Sequence, residues 1–121
     1  MNVAFAVAAF LALAAAAIHS YLGERMILSK LDHTVRGQRL LRISWHLLSV
    51  AFIGGAAALL IHAFGPLDAP ARAVGRAVAL PFFGFTLLAF AWAIHTPRVL
   101  RHPAWIAFLA TASLAWWGGP A

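Results

Sequence analysis

The chain has 121 residues, 64% of them hydrophobic and only 10% charged, with nine Lys and Arg against three Asp and Glu and a net charge of +6. Soluble domains carry about 45–50% apolar and about 25% charged residues, so this composition excludes a soluble globular fold and points to the bilayer as solvent. There is no cysteine, which removes disulfides, thiolate metal ligands and thiol catalysis and leaves imidazole, carboxylate, carbonyl or water for any metal.

Crossing a hydrocarbon core takes roughly 20 mainly apolar residues per helix. Four such stretches, at about 3–22, 40–64, 74–95 and 104–117, take up nearly the whole sequence. They are continuous runs rich in Ala and Leu, unlike the alternating segments of about ten residues that make membrane barrels. The expected fold is therefore an all-α membrane protein, a four-transmembrane-helix bundle occupying residues 1–121 as one domain. The first run is preceded by Met1 and Asn2 with no positive charge, so it reads as a retained helix rather than a signal peptide, and Gly23 closes it. Its tract Ala14 to Ala17, like Gly54 and Gly55 with Ala51 and Ala58 on the second run, forms a small-residue face suited to close helix packing, and secondarily to a planar cofactor. Pro66 stops the second run, and Pro81 marks a kink or first turn near the start of the third. Pro97 and Pro103 bracket a tight turn before the fourth and shortest run.

The basic residues orient these helices. Arg25, Lys30, Arg36, Arg39 and Arg42 follow the first run and Arg98 and Arg101 follow the third, whereas the intervening connection holds only Arg72 and Arg76 and the termini hold none. Lys and Arg are enriched in cytoplasmic loops, which places both termini outside and the seven-charge face inside. Trp45 and Trp105 then fall in the inner aromatic belt and Trp116 and Trp117 in the outer one. Topology and anionic lipid head groups account for the positive charge. With no basic stripe carrying interleaved aromatics, no nucleic-acid partner is expected, and the partners are the bilayer and either a second copy or a larger membrane complex.

A short internal repeat is visible. Ala17-Ile18-His19-Ser20 matches Ala93-Ile94-His95-Thr96, and Arg39-Leu40-Leu41-Arg42 matches Arg98-Val99-Leu100-Arg101, each arginine motif being followed by a tryptophan. The repeat predicts two tandem hairpins related by a pseudo-two-fold along the membrane normal, with His19 and His95 as symmetry mates.

His19, His46, His95 and His102 all sit where apolar runs begin or end, and hairpin geometry carries those ends to one membrane face. An ionisable group at that depth is costly unless it is paired, wetted or used. Imidazole is the commonest metal ligand, so His19, His46 and His95 are candidate ligands of a transition metal, Zn, Fe or Cu. Glu24, released by Gly23 to fold back toward His19, is the fourth ligand or the proton acceptor for a bound water, with Arg42 and His102 behind the ligands. Two imidazoles on facing helices also suit haem b, the arginines pairing with its propionates in an electron-transfer bundle.

Each residue has a plainer reading too. His19 and His95 would bond carbonyls at helix ends, His46 would bond a hydroxyl such as Ser20, and Glu24 would pair with Arg39 or Arg42. His33, His62 and His102 read as solvated or remote. In that case the protein is a structural or assembly subunit of a membrane complex without a cofactor.

The segments His19-Ser20-Tyr21-Leu22-Gly23-Glu24-Arg25 and Arg39-Leu40-Leu41-Arg42-Ile43-Ser44-Trp45-His46 resemble a recurring pattern in small bacterial four-helix membrane proteins. The resemblance covers about a quarter of the chain and implies a bacterial inner-membrane setting, with no activity attached.

Overall fold

A computed structural model describes residues 1–32, 34–94 and 104–118. Among these residues the structure is all helical, with α1 (Val3–Met26), α2 (Arg36–Ala63), α3 (Ala69–Ile94) and α4 (Ala104–Trp117), and a 3₁₀ turn at Leu28–Lys30. The first three helices are long and apolar enough to cross a membrane, and α4 is a shorter apolar helix.

The helices extend beyond their apolar runs, for local reasons. α2 starts at Arg36 and carries Arg36, Arg39 and Arg42 in its first two turns. Arginine is a good helix former whose stem can cover apolar surface while its head stays wet, so a basic segment costs the helix little. α3 starts at Ala69, where the Asp68 carboxylate accepts a hydrogen bond from the Ala71 amide at 2.9 Å. Pro70 falls in the first turn, where a missing N–H has no helical partner to lose. Pro81 is thus an interior residue of α3 rather than a mark of its start. α1 runs through Gly23 to Met26, so Gly23 does not close it.

α1 lies along α2 and α3 along α4, as two antiparallel hairpins, and α1 also packs on α4. α2 and α3 touch only lightly. A strict two-fold would match the α1–α4 contact with an equal α3–α2 contact, so the two hairpins do not pack equivalently. On α2 the buried residues Ser49, Phe52, Ala56, Leu59 and Ala63 alternate steps of three and four, the seam spacing of a coiled coil. α1 answers with Phe5, Ala9, Ala12 and Ala16 at the same steps, joined by Ala8 and Gly23. The register is pinned by the Asn2 amide, which donates to the Ala63 carbonyl at 2.6 Å, and by the Ser20 hydroxyl, which donates to Ser49 Oγ at 2.9 Å. Phe52, Phe82, Phe85 and Phe108 meet in the middle of the bundle with ring centroids 5.1–6.2 Å apart.

Asn2 ties the far end. Its carboxamide oxygen accepts from the Phe5 amide at 3.1 Å, capping α1, while its NH2 donates to the Gly118 carbonyl at 2.5 Å. Gly118, at φ 68°, turns the chain out of α4 in a conformation that glycine adopts without strain. Asn2→Ala should therefore lower unfolding free energy in detergent by about 1–2 kcal/mol, the scale of a lost N-cap plus one hydrogen bond. Asn2→Asp, which keeps the cap acceptor but loses the donor to Gly118, should fall between the two on the same denaturation curve.

Candidate functional site

The basic end of the first hairpin is built around the closest approach of α1 to α2. Gly23 stands one turn after His19 on the buried side of α1, and a Cβ placed there would run into the Trp45 indole. Only glycine lets the ring lie against the helix. Seated in that gap, Trp45 stacks on the His19 imidazole with centroids 4.3 Å apart and planes 5° from parallel. Its indole N–H donates to the His19 carbonyl at 3.1 Å. Phe52 meets the same imidazole edge to face at 6.0 Å. His19 Nε2 is sealed from solvent and has no hydrogen-bond partner among the described residues. Trp45 is thus a half-buried packing residue turned into the hairpin, not simply a member of a lipid-facing aromatic belt.

Because α1 continues past Gly23, Glu24 cannot fold back onto His19. Five residues at about 100° each put its side chain on a different flank of the helix, toward α2. There Glu24 Oε1 lies 3.2 Å from His46 Nε2 and Oε2 lies 3.5 Å from Arg42 Nη2. Arg42 Nη2 also donates to the Leu28 carbonyl at 2.8 Å, tying the 3₁₀ turn to α2, while Arg42 Nε is sealed and without a partner among the described residues. Ion pairs this accessible contribute about 0–1 kcal/mol, so their effect is mainly on register and charge placement.

His19, His46, Glu24 and Arg42 are thus gathered at one end of the α1–α2 hairpin. Among the described residues, however, no three His, Asp or Glu side chains form a group that could hold a metal ion. His95 and His102 lie outside the described residues, as does His33. His62 sits in the last turn of α2, at the opposite end from the cluster. The hydroxyl expected to bond His46 bonds elsewhere, Ser20 pairing with Ser49. Trp45, Ser49 and Gly23 are the members that the reading by apolar runs missed. Their signal was the seam spacing, which carries the Phe52 to Ala63 stripe of α2 back through Ser49 and Trp45 to Arg42, and the Phe5 to Ala16 stripe of α1 on through His19 to Gly23.

Two glycines of the hairpin, the buried Gly23 and the exposed Gly54, should respond oppositely to the same substitution. Gly23→Ala should eject the indole, abolish the Trp45 near-UV circular dichroism signal and cost about 1–3 kcal/mol, the range for overpacking. Gly54→Ala, which meets open space, should be neutral or stabilising by up to about 1 kcal/mol through helix propensity alone. Compared with known protein families, curated proteins and solved structures, the chain has no match, so the chemistry of this site rests on its own residues.

Proposed function

We propose that the chain is a multi-pass protein of the bacterial inner membrane, with both termini outside, whose basic end binds a transition-metal ion through His19. The observation that carries this reading is the Nε2 of His19, sealed and without a partner among the described residues. A buried polar atom left without a partner costs about 1–3 kcal/mol, and a ligand would remove that cost. Zn, Fe and Cu all accept imidazole. In this reading His46 leaves Glu24 to join His19, His95 completes the set, and Glu24, held by Arg42, serves as the proton acceptor for a bound water and not as a ligand. A metal-activated water beside Glu24 would then supply hydrolysis, or a redox metal oxidation, to a lipid-soluble substrate at the bilayer edge. An ion suits the site better than haem b, because Trp45 and Phe52 already occupy the space around the His19 ring.

A second reading has its own support. Glu24 is already matched by both Arg42 and His46, so the cluster also works as a latch that registers α1 on α2 in a structural or assembly subunit.

Elemental analysis and an optical spectrum of the detergent-purified protein decide between them. A metal site should carry stoichiometric Zn, Fe or Cu, with His19→Ala and His46→Ala each losing most of it and their stability costs strongly non-additive. A latch should bind none, and the two costs should simply add. A Soret band would restore haem b. The orientation rests on seven basic residues on one face against two on the other; a reporter fused after Ala121 should read as external, and cytoplasmic activity there overturns it.

A further inference from the structure

We infer that the crevice between α2 and α3 holds one hydrocarbon tail of a lipid, entering sideways from the bilayer and ending against the aromatic group beside His19. α2 and α3 are the loosely packed pair of the bundle, and between them lies a crevice of about 240 Å³. Its floor is made by the rings of Phe52, Phe82 and Phe85, and its mouth by the small residues Ala51, Gly55 and Ala77. Ala51 and Ala77 are exposed, so the mouth opens on the outer surface of two helices long and apolar enough to cross a membrane.

The chemistry of the walls selects the occupant. Every residue lining the crevice is apolar, so a head group or an ion finds no partner there. Its volume is below the ~300–1,000 Å³ of pockets that enclose drug-sized ligands, which suits one chain segment and not a fused ring system. An empty apolar crevice in hydrocarbon forfeits dispersion contacts along its walls, and a neighbouring acyl chain is the group at hand to restore them. Phe52 connects the two regions, since it forms part of the crevice floor and also meets the His19 imidazole. The crevice thus names the substrate class for the proposed site, a lipid with a long linear tail, and it rests on the reading of the chain as membrane-embedded.

The test reconstitutes the whole protein in phosphatidylglycerol vesicles containing an analogue with a photoactivatable diazirine in its acyl chain, and maps adducts by mass spectrometry. Adducts should concentrate on Phe82 and Phe85 over Leu87 and Leu88, although the two leucines are far more exposed. Ala51→Phe, and independently Ala77→Phe, fill the mouth from exposed positions and should remove the crevice adducts while leaving those at Leu87 and Leu88; helical circular dichroism verifies that each variant is folded. Labelling spread over all exposed apolar positions, indicating only annular lipid, overturns the proposal. So does protection of Phe82 and Phe85 accompanied by a dimer, which would place a second copy of the chain there. Metal content measured on the same samples separates the two ideas. Crevice adducts without metal uphold the tail site and sink the metal reading, and metal without crevice adducts does the reverse.

Discussion

The bundle depends on how narrow α1 is. In hydrocarbon, helices gain little from burying apolar surface against one another, and association relies on close backbone approach and van der Waals contact. α1 meets that demand with Ala8, Ala9, Ala12 and Ala16 along its buried side, and so brings both α2 and α4 against itself. Its one large buried ring, Phe5, is accommodated because α3 offers Gly75 where a Cβ would strike that ring and the Ala115 carbonyl. Bulkier residues on this face would separate α1 from its neighbours, and every cross-helix contact at the two ends would be lost with it.

The polar ties at the two ends of α1 are consequences of that closeness. Asn2 at one end reaches Ala63 and Gly118, and Glu24 at the other reaches Arg42 and His46. Both ties are short-range devices that need the backbones already in place. Gly23 extends the same logic by one turn. Without a side chain it admits the Trp45 indole, and the indole in turn sets the His19 ring parallel to itself with one nitrogen sealed. The chemical interest of His19 therefore traces to a missing methyl group one turn away. The same economy leaves α3 less firmly held on the α2 side, where small residues face an open crevice instead of a partner helix.

The sequence by itself determined the helical class, the hairpin order and that three of the helices are long and apolar enough to cross a membrane. Those follow from the length and apolar content of each run and from short connections, which are local properties requiring no knowledge of contacts. It also indicated which end of the bundle is basic and that His19, His46, Glu24 and Arg42 lie near it, because helix length converts position in the chain into depth. The tertiary structure decided what depth cannot. It made Gly23 an interior residue that receives a ring, because a glycine seen alone reads equally as a helix stop or a contact. It turned Glu24 toward α2, because continuing α1 by one turn rotates that carboxylate away from His19. It extended α2 and α3 over Arg36 and Ala69, where arginine stems and the Asp68 cap sustain helix beyond the apolar runs. And it left the two hairpins unequally packed despite their matching motifs, since the fit between α2 and α3 depends on side-chain volumes across the gap, which no repeat of a few residues encodes.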